Sequence, residues 1–121
     1  MQPRDVVIVS ACRTAIGKFQ GQFKDVPARE LAITAGKEAI RRAGVDINTI
    51  DEVVMGECYT AMQGSLPARQ VSMRIGLPIE SSAVTVNQNC ASGMRALEIA
   101  CNNIQPVSYT HLRAHETLSD L

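Results

Sequence analysis

The sequence predicts an α/β protein in which a mostly parallel β-sheet is layered with helices. Three observations lead to this prediction. Aliphatic runs alternate with segments of helical periodicity in the order βαβαβα. The first run, residues 6–9, is apolar at every position, as in a strand covered on both faces. The chain has 121 residues and 45% hydrophobic content, which is enough for one domain or part of one.

The first half of the chain predicts one βαβ crossover. After the strand at residues 6–9, a loop leads to a helix over residues 27–43, which has Pro27 at its start and Gly44 just past its end. A second strand is predicted over residues 50–57. The small apolar stripe of this helix is predicted to pack on the sheet, and its members are Leu31, Ala35, Ala39 and Ala43.

The second half repeats the alternation. A second helix is predicted over residues 68–75, closed by Gly76, and a third strand over residues 83–88. The third helix follows directly. Its predicted buried stripe consists of Met94, Leu97, Cys101 and Ile104.

Cys90 lies where the third strand leads into the third helix, and the periodicities predict it on the first turn of that helix. The first helical N–H groups lack intrahelical partners and carry partial positive charge, which stabilises a thiolate. The small residues 91–93 leave room for an acyl group, and the Cys90 N–H can face an oxyanion. These features favour an acyl-accepting cysteine, and the alternative is a buried cysteine that only packs.

Composition excludes several other classes of function. The 12 basic and 12 acidic residues balance and aromatic residues make up 3%, so nucleic acid is not an expected partner. No run is long enough to span a bilayer and no signal core follows the start, so a cytoplasmic location with reduced thiols is expected. The four cysteines have no CxxC spacing, which argues against zinc. Arg13 and Lys18 lie in a loop without the GxxxxGK[ST] spacing, which favours a structural loop over a phosphate site.

The segment at residues 87–96, Asn-Gln-Asn-Cys-Ala-Ser-Gly-Met-Arg-Ala, resembles the acyl-enzyme cysteine motif of the thiolases. Further segments match in order and spacing over residues 4–104, and they lie at residues 7–14, 16–19, 52–56 and 67–70. The resemblance is to the bacterial acetyl-CoA acetyltransferase type. It implies that residues 1–104 are an incomplete N-terminal domain of the layered αβαβα thiolase fold.

The resemblance also implies a CoA-dependent acyltransferase of fatty acid metabolism. Cys90 would take an acyl group from acyl-CoA, and a second acyl-CoA would attack that thioester to give a 3-ketoacyl-CoA, reversibly. CoA thioesters are then substrates, no cofactor is bound, and the full-length protein is a homo-oligomer. Gly93 is expected to pack closely, while Asn87 and Asn89 shape the turn without a chemical role.

The family moves the α-proton with a second cysteine and uses a histidine, in Cys-Gly-Gly and Gly-His-Pro motifs that this sequence lacks. We therefore expect the chain itself to be inactive in turnover. Two alternatives stay open: an inert fragment or interaction piece, and another condensing enzyme of the superfamily, a ketoacyl synthase or hydroxymethylglutaryl-CoA synthase.

Residues 105–121 do not fit the thiolase pattern. They contain no apolar strand, resemble the translation of a sequencing adapter, and are expected to be a disordered or spurious tail. Both histidines of the chain, His111 and His115, lie here. Their spacing would place them on one helical face, but Ser119 stands where HExxH requires the second histidine. Neither a metal site nor a base for Cys90 is predicted from them.

Overall fold

The computed structural model describes residues 5–61, 63–105 and 114–119. Helices and strands alternate along the chain, which confirms the predicted α/β class. In chain order the elements are helix α1 Ala28–Ala43, a 3₁₀ turn Ile47–Thr49, strand β1 Ile50–Gly56, helix α2 Pro67–Ile75, strand β2 Ser82–Val86, helix α3 Ser92–Ile104 and strand β3 Ala114–Ser119.

The three strands form a parallel sheet in the order β2-β1-β3. In the central strand β1, alternate side chains point to opposite faces. Val53 and Met55 join a core cluster with α1 and α2, while Val54 joins a second cluster with α3. All three side chains are fully buried. The molecule is therefore layered, with α1 and α2 on one face of the sheet and α3 on the other.

The predicted helix boundaries are largely confirmed. α1 begins after Pro27 and ends at Gly44, whose φ of 69° is left-handed and whose N–H donates to the Ile40 carbonyl at 3.2 Å. α2 likewise begins at Pro67 and ends at Gly76, with φ of 105°. Glycine tolerates this conformation without the Cβ clash of other residues.

The prediction of a first strand at residues 6–9 is wrong, and the described order is αβαβαβ instead of βαβαβα. Residues 5–18 are in no strand, and Val7, Ile8 and Val9 are 73%, 72% and 66% exposed. A strand does occur at Ala114–Ser119, where the sequence predicted none. The edge of β1 opposite β2 accepts one strand, and β3 occupies it. Residues 106–113 lie outside the described part of the chain.

Helix α3 buries a different stripe from the predicted one. Ser92, Ala96 and Ala100 are buried, whereas Met94 is 81% and Leu97 42% exposed. Spacing of four residues and small side chains let the helix approach β1 closely. The predicted stripe consists of the larger side chains, because hydrophobicity alone does not indicate how close the two backbones come. A similar shift occurs in α1, whose buried residues are Ala32, Ile33, Gly36 and Ala39.

Charged side chains lie on the outer surface of the helices. Glu38 pairs with Arg41 at 2.6 Å and with Arg42 at 3.3 Å. Glu30 of α1 pairs with Arg74 of α2 at 2.8 Å and so joins the two helices. Among the described helices, none has the length and apolar character needed to cross a membrane.

We expect Arg74→Gln to weaken the pH dependence of stability. The hydrogen bond and positive charge of Arg74 hold the pKa of Glu30 below its usual value of 4.5. A lowered folded-state pKa stabilises the fold above pH 4.5, and the contribution is lost as pH falls through the lowered value. The thermal midpoint of the variant should be slightly lower than that of the parent at pH 7, and this difference should shrink as the pH falls through the lowered pKa of Glu30.

The effect should be small and should disappear in concentrated salt, because both partners face solvent. Arg13→Gln is a control at an exposed arginine whose Nη1 donates to the Thr14 carbonyl. A difference between Arg74→Gln and the parent that does not shrink as the solution is acidified from pH 7 would contradict a role for this ion pair.

Candidate active site

Cys90 lies in the turn between β2 and α3 and is exposed. The N-cap of α3 is Ala91, so Cys90 precedes the first helical residue by two positions. The prediction that Cys90 lies on the first turn of the helix is therefore wrong. Asn89 causes this displacement because its φ of 51° is left-handed, which turns the chain before the helix begins. The thiol therefore stands just before the positive end of the α3 dipole.

Ser92 fixes the turn from inside. Its hydroxyl accepts the Gln88 N–H at 2.9 Å and donates to the Asn89 carbonyl at 2.6 Å. The backbone adds Ala91 N–H to the Gln88 carbonyl at 3.1 Å. Ser92 is 4% exposed, so water does not compete well for these bonds. The two bonds of this hydroxyl close the chain around Cys90.

Asn87 fixes the turn from its outer side. Its Oδ1 accepts the Asn89 N–H at 3.0 Å, and its Nδ2 donates to the Cys58 carbonyl at 3.1 Å. The second bond reaches the segment that follows β1. This confirms the prediction that Asn87 and Asn89 shape the turn.

Gly56, the last residue of β1, sets how close α3 comes to the sheet. A Cβ at this position would lie 2.5 Å from the backbone carbon and oxygen of Ser92 and 2.7 Å from the Gly93 nitrogen. Real Cβ atoms do not approach backbone this closely, so only glycine fits here. The start of α3, and with it Cys90, is therefore held directly against the end of β1.

The other three cysteines have different surroundings. Cys12, Cys58 and Cys101 are half-buried, and the Cys12 thiol donates to the Ala35 carbonyl at 3.1 Å. All three line a cleft of about 820 Å³ to which Cys90 does not contribute. The cysteine predicted to be a nucleophile is thus the exposed one, and this cleft is a separate feature.

The described residues contain no group of three His, Cys, Asp or Glu side chains that could hold a metal ion. His111, for which no metal-binding role was predicted, lies outside those residues. Of His115 only the backbone is described, in strand β3. Arg13 lies in an exposed loop. In the same loop, the backbone carbonyl of Lys18 accepts the Gly21 N–H at 2.8 Å and closes a turn. This fits the structural loop that the sequence favoured.

Sequence reasoning missed Ser92 and Gly56 as functional residues. Ser92 was assigned only as a small neighbour of the sulfur, although a serine two residues beyond a strand-to-helix cysteine is a signal for a side-chain bond to the turn. Gly56 ends a buried strand, and a glycine there indicates close approach of another backbone.

The fold and this turn define an α/β protein that presents an exposed cysteine where a parallel strand leads into a helix. The family model described as "Thiolase, N-terminal domain" matches residues 6–110. The chain belongs to the thiolase family and contains part of its N-terminal domain. This confirms the resemblance and the fold class inferred from the sequence.

Curated relatives carry the name acetyl-CoA acetyltransferase. The protein of Cupriavidus necator is 48% identical over 100 residues, which cover 83% of this chain and 25% of that protein. The protein of Clostridioides difficile is 50% identical over 93 residues, which cover 77% of this chain and 87% of that protein. The chain covers most of the Clostridioides difficile relative, but it spans only about a quarter of the length of relatives such as those of Cupriavidus necator and Paracoccus denitrificans.

The chain is also similar to solved structures of thiolases. The acetyl-CoA acetyltransferase of Syntrophomonas wolfei is 53% identical with a TM-score of 0.79, over 81% of this chain and 25% of that one. The Acat5 thiolase of Ascaris suum, solved in complex with coenzyme A, is 34% identical with a TM-score of 0.84, over 91% of this chain and 28% of that one.

Proposed function

We propose that Cys90 is the acyl-accepting nucleophile of a thiolase-type acyltransferase that moves acyl groups between CoA thioesters. The observation that carries this proposal is the exposed Cys90 thiol on a turn fixed by Ser92, within a family-matched domain. The substrate class is supported by the names of the relatives and by the Ascaris thiolase in complex with coenzyme A.

In the first half-reaction, the Cys90 sulfur attacks the carbonyl carbon of acyl-CoA. The carbonyl electron pair moves onto oxygen and then returns, which expels the CoA thiolate and leaves an acyl-Cys90 thioester. In the second, an acyl-CoA that has lost its α-proton attacks this thioester through carbon. Cys90 leaves as thiolate and 3-ketoacyl-CoA is released.

The second half-reaction needs a base for the α-proton. The sequence contains no Cys-Gly-Gly or Gly-His-Pro motif. We therefore propose that the 121-residue chain accepts acyl groups but does not turn over. The alternatives are an inert or interaction fragment and another condensing enzyme of the superfamily. A Cys-Gly-Gly motif in a longer reading frame of the source gene would decide for thiolase against the latter.

We also propose the partners, oligomeric state, cellular location and metabolic context of the full-length protein. Acyl-CoA is the expected partner, without nucleic acid or membrane, and the full-length protein is a homo-oligomer in the cytoplasm. Fatty acid metabolism is the proposed context, and CoA is substrate and not a resident cofactor. We also propose that the family sequence ends at Ile104 and that residues 105–121 are foreign to it.

A two-armed experiment tests the proposed function. Incubation with acetyl-CoA at mildly alkaline pH should place one acetyl group on Cys90, located by peptide mass spectrometry. Cys90→Ala should take up none, while Cys101→Ala, at a half-buried cysteine, should behave like the parent. Acetyl groups on Cys12 or Cys58 in the parent would contradict the nucleophile assignment.

In the second arm, acetoacetyl-CoA and CoA are supplied and thioester cleavage is followed. No turnover above the Cys90→Ala background is expected. Sustained cleavage that disappears in Cys90→Ala would show that the chain carries its own base and would overturn the inactivity proposal.

A further inference from the structure

The loop that leads from β1 to α2, residues 57–66, lies beside the turn that carries Cys90. β1 and β2 are parallel and paired as far as Gly56 and Val86, so their carboxyl ends meet at one edge of the sheet. The contact continues into the loop, because the Glu57 N–H donates to the Val86 carbonyl at 3.0 Å. The first residues of the β1–α2 loop therefore run alongside the start of the Cys90 turn.

The Asn87 side chain joins this loop to the turn. Its Nδ2 donates to the Cys58 carbonyl in the loop at 3.1 Å, and its Oδ1 accepts the Asn89 N–H in the turn at 3.0 Å. One planar amide makes both bonds, so its orientation follows the position of the Cys58 carbonyl. The second bond holds Asn89, whose left-handed φ of 51° is uncommon for a residue other than glycine. A shift of the loop is therefore transmitted to the residue before Cys90.

Gln70 of α2 holds the other end of the loop. Its Nε2 donates to the Gln63 carbonyl at 3.0 Å and to the Ser65 carbonyl at 2.9 Å. A Cβ at Gly64 would lie 2.9 Å from this nitrogen, so the amide group of Gln70 sits directly against the loop backbone. Most of the described loop residues are exposed. The position of the loop therefore depends on hydrogen bonds more than on packing.

Two further hydrogen bonds complete the connection. The Gln63 N–H donates to the Thr60 carbonyl at 3.2 Å, which links the part of the loop held by Gln70 to the part next to β1. The start of α2 is itself tied to β2, because the Ala68 N–H donates to the Thr85 hydroxyl at 3.0 Å. The helix, the loop and the end of β2 thus form one closed set of hydrogen bonds.

We propose that Gln70 is a positioning residue for the reaction of Cys90 and acts through the β1–α2 loop and Asn87. The inference rests on the proposed function, in which the Cys90 sulfur attacks the carbonyl carbon of acyl-CoA. Such an attack requires a defined approach, and a displacement of about 1 Å can slow a reaction about a hundredfold. Gln70 holds the loop carbonyls, the loop orients Asn87, and Asn87 holds the turn that presents the sulfur.

Gln70→Met tests this role in the full chain, because methionine has a similar length and shape but no N–H donor. Acetylation of Cys90 by acetyl-CoA should become about tenfold slower, since the turn is less well held. The Asn89 amide should exchange with solvent about fivefold faster, as expected for the loss of one hydrogen bond. Alkylation of Cys90 by iodoacetamide should fall much less than acetylation, because the thiol stays exposed. An equal fall in both rates would overturn the proposal.

Arg69→Met is the matched control on the same helix. Arg69 also donates to two carbonyls, those of Ser81 and Ile79 at 2.7 Å each. These carbonyls precede β2, so they lie at the opposite end of that strand from Cys90. The variant should lose stability without any change in acetylation or in amide exchange of the turn. If it affected acetylation as much as Gln70→Met does, the role of Gln70 would be merely structural and the proposal would be overturned.

Asn87→Asp tests the link between the loop and the turn. Aspartate keeps an acceptor for the Asn89 N–H but removes the donor to the Cys58 carbonyl. It should slow acetylation, and the double variant with Gln70→Met should be no slower than the slower single variant, because both changes break one connection. Effects that multiply in full would show two independent routes and would overturn the proposal.

The outcomes separate this proposal from the proposed function. If the parent were acetylated at Cys90 and Gln70→Met were acetylated equally fast, the positioning role would be overturned and the proposed function would stand. If the parent took up no acetyl group, the proposed function would fail. Faster exchange at Asn89 in Gln70→Met, and not in Arg69→Met, would then still support the connection from Gln70 to the turn, and unchanged exchange would overturn it.

Discussion

Replacing Gly56 with alanine is expected to destabilise the fold by about 3 kcal/mol, at the upper end for overpacking a closely packed site. The new Cβ would lie 2.5 Å from the backbone carbon and oxygen of Ser92. Because the obstacle is backbone and not the end of a flexible side chain, the start of α3 must move away from β1. Urea unfolding followed by circular dichroism measures the loss of stability.

Gly44→Ala is the matched control for this prediction. Gly44 has a left-handed φ of 69°, but a Cβ there would meet nothing within 4 Å. Alanine should therefore cost only the backbone strain, about 1 kcal/mol. If Gly56→Ala were no less stable than Gly44→Ala, α3 would not be held against β1 as described.

Ser92→Ala is expected to cost about 2 kcal/mol and to loosen the turn that carries Cys90. The change removes the acceptor of the Gln88 N–H and the donor to the Asn89 carbonyl, at a side chain that is almost fully buried. Unfolding measurements give the free energy. Hydrogen exchange gives a local readout, since the Gln88 amide should exchange faster than in the parent.

Ser65→Ala is the control for this change, because Ser65 is an exposed serine outside the turn. It should leave stability within about 0.5 kcal/mol of the parent. A Gln88 amide that exchanges equally fast in Ser92→Ala and in Ser65→Ala would contradict the role of the Ser92 hydroxyl.

Helix boundaries and the core of the sheet could be predicted because their signals are local. Pro27 and Gly44 delimit α1, and the apolar run of β1 is buried on both faces as its composition indicates. The occupant of the second β1 edge could not be predicted in this way. Composition predicted a strand at residues 6–9 and none in the polar tail, whereas the structure places β3 at this edge.

The sequence located the turn that carries Cys90, and the structure differs in where helix α3 begins. Periodicity identified the strand-to-helix junction at Cys90, but it could not register the left-handed Asn89, which delays the helix by two residues. Nor could it show that the Ser92 hydroxyl is used inside the turn. The left-handed Asn89 and the bonded Ser92 hydroxyl both depend on hydrogen bonds of polar residues, and the spacing of apolar residues carries no information about these bonds.

The central claim is that the fold presents the Cys90 thiol for reaction while it shields the other three. Site-resolved alkylation by iodoacetamide, followed by peptide mass spectrometry, tests this most directly. In the native chain Cys90 should react at least tenfold faster than Cys12, Cys58 or Cys101, because only Cys90 is exposed. In urea the four rates should converge. Equal rates for all four cysteines in the native chain would contradict the claim.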